Sequence, residues 1–292
     1  MFDDLAVQLT LEQAVEYLSR IRLDEESEQL RKSLVDRQTT GSFDLSVEFL
    51  DRLAYAHQLA VPFENLEIFD LHNPILLGTE ALFDKIVRRR RGGYCFENNK
   101  MFNLLLKALG YQTTAHLGCV RAVGGMRPPL HRITLVYFDS DDGPMRRYVD
   151  VGMGGAQPAS SLPLEPGTHF DQLGMEFSFT YGEADEASGI TNQTWFLKRV
   201  SSSGELVGVS SFEEFSQLEV NFFAPNYYTS THPNSPFTQA RVVNIRRPDG
   251  FAAIGGDTFR LNKDGAETEV DVSDSVVRAE VLHEYFGIVL EP

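Results

Sequence analysis

Along the first ninety residues the apolar positions recur at helical spacing. Val15, Leu18 and Ile21 follow Thr10 and Gln13, which stand three apart as the partners of a capping box do. A second run from about Ser46 puts Leu50, Leu53 and Ala54 on one helical face, and it must stop near Pro62, which lacks a backbone N–H and clashes with the preceding turn. A third follows Thr79, buries Leu82, Phe83 and Ile86, and runs into Arg88 to Arg91 before the pair Gly92 and Gly93. The stretch RGGYCFENNKMFNLLLKALG, residues 91 to 110, then predicts an amphipathic helix with the stripe Phe102, Leu105, Leu106 and Leu109 and a stop at Gly110.

Beyond Gly110 the period changes to that of strands. Residues 113 to 123, 131 to 138, 146 to 151, 176 to 181 and 193 to 200 are rich in valine, threonine and aromatics, and DSDDG at 139 to 143 is a turn cluster. The middle third therefore reads as an antiparallel barrel or curled sheet. From Ser211 a helix is expected, followed by an irregular loop punctuated by proline and asparagine; strands at about 240 to 246 and 251 to 254 and a final helix from about Ser273 to Gly287 complete the chain. No internal repeat or long linker divides it.

Composition narrows the function. With 292 residues and 42% hydrophobic content the chain has enough apolar surface for a large core. Its formal charge of −16 disfavours nucleic acid and repels anions at long range, so an anionic ligand needs a local basic or N–H-rich pocket. Nothing in the sequence has the length and apolarity of a membrane span, and the acidic start has no export signal; a cytoplasmic enzyme with no membrane or nucleic-acid partner is expected. Arg88 to Arg91 suggest an anion site, although cations in a last helical turn are usually solvated residues that suit the dipole.

The two cysteines are too few for a disulfide framework, and neither has a metal-ligand neighbour, so no metal site is expected. Cys119 lies inside the strand AHLGCVRAV and reads as core. Cys95 is different: it follows a glycine pair and opens a helix, where unpaired N–H groups and the positive end of the macrodipole favour a nucleophilic sulfur. A base and an orienting group would complete the chemistry. His131 opens the strand HRITLVYF and Asp150 closes RRYVD. If DSDD is a four-residue hairpin loop, Phe138 pairs with Gly143 and His131 faces Asp150, with Cβ atoms about 4.5 to 5.5 Å apart.

The motifs YLSRI at 17 to 21, VPFENLEI at 61 to 68, RGGYCFENN at 91 to 99, HRITLV at 131 to 136, DVGMG at 150 to 154 and TSTHPNSPF at 229 to 237 together resemble those of the arylamine N-acetyltransferase family. The resemblance implies an α+β fold with a papain-like Cys-His-Asp catalytic core, carried here by Cys95, His131 and Asp150. It implies three domains: a helical bundle over 1–110, a β-barrel over 111–210 and an α/β lid over 211–292. It also implies acetyl-CoA as co-substrate, with no permanently bound cofactor, and contacts to CoA from Gly152, Gly154 and Thr231. Arg91 and Glu97 are expected to pair and hold the helix start. Two departures stand out: Met153 replaces the usual phenylalanine beside the acceptor pocket, and residues 24 to 42 extend the loop after the first helix.

The implied reaction is ping-pong transfer of an acetyl group, through a thioester on Cys95, to an arylamine, arylhydroxylamine or hydrazine. Malonyl- or propionyl-CoA as donor, a papain- or transglutaminase-like amidase, and a non-catalytic small-molecule binder are the competing readings.

Overall fold

The computed structural model describes residues 8–36, 45–121, 128–139, 143–155, 157–182, 193–201 and 203–290. The fold is α+β. Helix α1 (Leu11–Arg20) carries the reciprocal Thr10–Gln13 capping box, and α3 (Val47–Ala60) is capped by the Ser46 side chain, because in both places a short polar side chain stands immediately before an apolar-periodic run. Of residues 24 to 42, expected to extend the loop after the first helix, 24 to 36 form a helix of their own, α2 (Asp24–Asp36), and 37 to 42 lie outside the described residues. Its first turn, Asp24, Glu25 and Glu26, places negative charge at the positive end of the helix dipole.

A short strand, β1 (Phe63–Glu64), leads to α4 (Leu66–Phe69) and α5 (Thr79–Phe83), which continues as a π-helical turn over Asp84–Arg88. Next comes α6 (Cys95–Leu109). The apolar stripe predicts one buried face, but thirteen of its fifteen residues are buried, including Glu97, Asn98, Asn99, Lys100 and Asn103. The helix runs through the centre of the main core, flanked by α1, α5 and two strands of the large sheet. Polar side chains tolerate this because they bond internally: Lys100 Nζ donates to the carbonyl of Leu77 at 2.5 Å, and Asn103 Nδ2 to Thr113 Oγ1 at 3.0 Å.

The large sheet comprises β2 (Gln112–Val120), β3 (His131–Phe138), β4 (Met145–Val149), β5 (Leu162–Pro163), β6 (His169–Gln172), β7 (Met175–Tyr181), β8 (Trp195–Val200) and β9 (Leu206–Phe212). They are antiparallel, in the order β5-β4-β3-β2-β9-β8-β7-β6, and curl into a barrel-like layer around Leu135, Tyr148, Phe177, Phe179, Trp195 and Phe212.

Ser211 and Phe212 belong to β9, so no helix starts there. The chain turns helical only at a 3₁₀ turn, Glu219–Phe222, which runs into α7 (Phe223–Thr231), in the stretch expected to be loop. Pro225 does not prevent it: a proline in the first turn forfeits an N–H that has no intrahelical acceptor. After α8 (Pro236–Gln239), strands β10 (Val242–Arg247), β11 (Gly250–Gly255), β12 (Thr258–Lys263) and β13 (Ala266–Asp271) follow in antiparallel succession, and β1 joins the edge at β10. Every residue of β13 is exposed, so it has no alternation to read. The last helix, α9 (Ser275–Phe286), is capped by Asp274 and packs Leu282 and Phe286 under this smaller sheet. Among the described residues no helix is long and apolar enough to cross a membrane.

Candidate active site

Cys95 is the first residue of α6 and is nearly buried, with its sulfur 3.7 Å from the carbonyl oxygen of Leu130, the residue before His131. The approach to it is held by close packing. A Cβ on Gly92 would lie 2.0 Å from the carbonyl oxygen of Pro62, a distance no side chain tolerates, so the segment entering α6 can cross the VPFEN turn only as glycine.

The helix start is pinned by charge, with partners other than those expected. Glu97 Oε2 accepts the Tyr94 N–H at 3.1 Å while its Oε1 meets Lys85 Nζ at 2.7 Å. Arg91 instead pairs with Glu64, Nη2 to Oε1 at 2.9 Å, so the predicted Arg91–Glu97 pair is replaced by a buried cluster of Lys85, Arg91, Glu64 and Glu97. The sequence shows which charges are near the glycine pair. It does not show that β1 and the π-helical turn each deliver a counter-ion there.

His131 and Asp150 meet, Nε2 to Oδ2 at 2.6 Å, but through a different register from the one expected. Phe138 pairs with Met145 and Thr134 with Val149, so the hairpin loop is two residues longer than DSDD, and continuing the register sets Asp150 level with Ile133. Residues 140 to 142 of that loop lie outside the described residues. A shift of two preserves the alternation of faces, so the two side chains stay on one side of the sheet as diagonal neighbours, still within reach.

Asp150 is saturated. Its Oδ1 accepts Asn99 Nδ2 at 2.8 Å and the Gly152 N–H at 3.0 Å; its Oδ2 accepts His131 and the Tyr148 hydroxyl at 2.9 Å. Burial alone would raise the carboxyl, but the His131 charge and the hydrogen bonds from His131, Asn99 and Gly152 hold it below the ordinary aspartate value. Burial alone would likewise lower the imidazole; the Asp150 charge and hydrogen bond, with a further hydrogen bond to Cys95, push His131 up to about 10. Since Nε2 faces Asp150, the other ring nitrogen is the one turned to Cys95. The arrangement can move a proton between sulfur and imidazole with the ring held in one orientation.

Two partners escaped the sequence reading. Asn99 stands one helical turn beyond Cys95 and ties α6 to both strands: its Nδ2 donates to the Arg132 carbonyl as well as to Asp150, and its Oδ1 accepts the Val151 N–H at 2.9 Å. The i, i+4 spacing from Cys95 was the available signal. Tyr148 stands two residues before Asp150, on the same face of the strand end, and period-two alternation could have found it.

The three positions expected to meet CoA have different surroundings. Gly152 lies against the nucleophile: a Cβ there would sit 3.0 Å from Cys95 Cα and 2.9 Å from Asn99 Nδ2, and its N–H is committed to Asp150. Gly154, at φ 68°, closely approaches Phe63 and Asn244. Thr231 ends α7 with an exposed side chain whose hydroxyl donates to the Tyr227 carbonyl at 2.6 Å. Cys119 is in β2, half-buried rather than in the core, with its thiol raised by burial.

Comparison with known proteins places this geometry. The family model described as N-acetyltransferase matches residues 46–292. An arylamine N-acetyltransferase of Mycobacterium tuberculosis is 29% identical over 260 residues, spanning 85% of each chain. The crystal structure of the arylamine N-acetyltransferase of Nocardia farcinica superposes with a TM-score of 0.78 at 28% identity, covering 99% of this chain and 94% of that one. The Mycobacterium marinum arylamine N-acetyltransferase, solved in complex with CoA, matches with a TM-score of 0.76 at 26% identity over 94% of this chain and 92% of its own.

Proposed function

The chain belongs to the arylamine N-acetyltransferase family of acyltransferases, and on that premise we propose that it carries an acetyl group from acetyl-CoA, through a thioester on Cys95, to an arylamine, arylhydroxylamine or hydrazine. The observation that carries the reading is the buried line from the Cys95 sulfur through His131 to a carboxylate with four hydrogen bonds.

In the first half-reaction the Cys95 sulfur, its proton already held by His131, attacks the thioester carbonyl carbon. The oxyanion forms beside the start of α6, where the Cys95 N–H has no intrahelical acceptor and can donate to it. As the tetrahedral intermediate collapses, the C–S bond to CoA breaks, and the CoA sulfur leaves with the proton from His131. In the second half-reaction the acceptor nitrogen attacks the Cys95 thioester, His131 takes a proton from it, and the Cys95 sulfur is released; the kinetics are ping-pong. Asp150 holds the ring through both halves and stabilises its charged form. Thr231 is assigned to the acyl-CoA approach on the strength of its exposed side chain. Gly152 and Gly154 serve the same approach by keeping the chain after Asp150 thin against Cys95, Phe63 and Asn244.

Intact-mass spectrometry after mixing with acetyl-, propionyl- and malonyl-CoA tests the proposal. One acyl group should appear, be lost in Cys95→Ser, and map to Cys95 rather than Cys119. Acyl-enzyme formed equally well from simple amides would point to an amidase instead. No acylation by any of the three CoA thioesters would remove the proposal.

A further inference from the structure

A cavity of about 690 Å³ opens between α1 and α3 on one side and β10 and α9 on the other. Cys95, His131 and Asp150 are not among the residues that line it. Its charge is opposite to that of the protein. Among the described residues six arginines, Arg20, Arg22, Arg52, Arg90, Arg246 and Arg247, line it, with Glu284 as the one carboxylate, in a chain of formal charge −16.

The arginines differ in what holds them. Arg20 is buried and donates to the carbonyls of Ile86, Ala60, Arg90 and Arg91, so it closes helix ends and contributes charge with four of its five N–H groups already committed. Arg52 pairs with Glu26 and Arg247 with Asp249. Arg246 donates to Gln58 Oε1 at 2.8 Å and the Gln157 carbonyl at 2.7 Å, both neutral groups. Among the described residues Arg22, Arg90 and Arg246 form no ion pair.

Backbone conformation supplies a separate observation. Arg22 has φ 63° and Arg90 φ 54°, each just past the end of a helix, where glycine is the usual residue and any other L residue is disfavoured. Both places hold arginine, and both arginines line this cavity. Two of the five non-glycine residues with positive φ among the described residues are thus arginines on this one cavity. Beside His283 and Glu284, the wall is completed by apolar and aromatic side chains that include Tyr55, Leu59, Ile245 and Tyr285.

We propose that this cavity is a binding site for a nucleoside polyphosphate, with the phosphates among Arg22, Arg90 and Arg246 and the nucleoside against the wall of Tyr55, Leu59 and Tyr285. Planar guanidinium forks suit phosphate oxygens, the volume suits a small ligand, and the protein's overall negative field selects against a nucleic-acid strand. The site is separate from acyl transfer and does not depend on it.

Isothermal titration calorimetry of the full chain with ATP, inorganic triphosphate and adenosine tests the assignment. ATP should bind at one site, more tightly than triphosphate, and adenosine weakly or not at all. Arg22→Gly and Arg90→Gly should each weaken ATP about tenfold, the loss of one charge-assisted phosphate contact, while leaving the melting temperature unchanged or raised, since glycine is the residue these φ values favour. Absence of binding at millimolar ATP, or affinity unchanged in both variants, would overturn the proposal. Triphosphate binding as tightly as ATP would remove the nucleoside from it. Competitive exclusion of acetyl-CoA from Cys95 by ATP would place the nucleotide in the donor site and overturn it as well.

Discussion

Replacing Asp150 with asparagine should abolish acylation, and the hydrogen bonds around it show why. All four groups touching the carboxylate donate: Asn99 Nδ2 and the Gly152 N–H to one oxygen, His131 Nε2 and the Tyr148 hydroxyl to the other. An amide offers one oxygen and one NH₂. With its oxygen toward Asn99 and Gly152, the NH₂ faces His131 and Tyr148. Tyr148 can turn its hydroxyl toward Ser210 Oγ, 3.4 Å away. His131 can meet an NH₂ only with a bare Nε2, which moves its proton to the nitrogen facing Cys95 and removes the base. The opposite flip sets the NH₂ against two donors that cannot turn. Either way the acylation rate should fall on the order of 10⁴-fold, as for the loss of an orienting carboxylate in a triad, and the mispaired buried group should cost about 1 to 3 kcal/mol of stability. Without the Asp150 charge, burial dominates His131, and its pKa should fall from about 10 to below the ordinary 6.5. Single-turnover acylation by acetyl-CoA, read by quenched-flow mass spectrometry, gives the rate; a thermal melt confirms folding; NMR titration follows the imidazole. A folded variant that acylates within tenfold of wild type would refute this account and leave Asp150 as a turn residue.

Asn99→Ala leaves the Arg132 carbonyl and the Val151 N–H without their buried partner, and should cost about 3 kcal/mol in urea unfolding along with a slower acylation rate. Gly152→Val forces a side chain onto Cys95 Cα and Asn99, so it should slow iodoacetamide labelling of Cys95 as well as acyl transfer; loss of CoA affinity with labelling unchanged would show that the contact is relieved elsewhere. Glu219 is pulled down to about 2, against its burial, by Arg132, Lys100 and Lys107. Its stabilisation of about 3 kcal/mol should therefore be present above pH 4.5 and be lost as pH falls through about 2, a dependence that urea unfolding should find reduced in Glu219→Gln. His131 has the opposite sign: raised to about 10 from 6.5, its contribution should be complete below pH 6.5 and disappear as pH rises through about 10, by comparison with His131→Phe.

Features that depend on neighbours a few residues apart were legible in the chain. The Thr10–Gln13 box, the Ser46 cap, the opening of α6 at Cys95 and the strand His131–Phe138 all follow from short-range spacing, and all stand where spacing puts them. The face shared by His131 and Asp150 was legible too, because alternation has period two and survives a two-residue slip of the hairpin; the register was not, because it depends on loop length. Other features came only with the assembled fold. Amphipathic spacing cannot show that α6 is surrounded on every side, nor can composition show which of Lys85, Arg91, Glu64 and Glu97 face each other, since their partners arrive on β1 and the π-helical turn. The same holds for the arginine-lined cavity, whose lining includes residues of α1, α3, β10 and α9. Capping and periodicity act within one or two turns of chain, whereas ion pairs, saturated carboxylates and cavities form where distant segments are pressed together, and their energies depend on that packing.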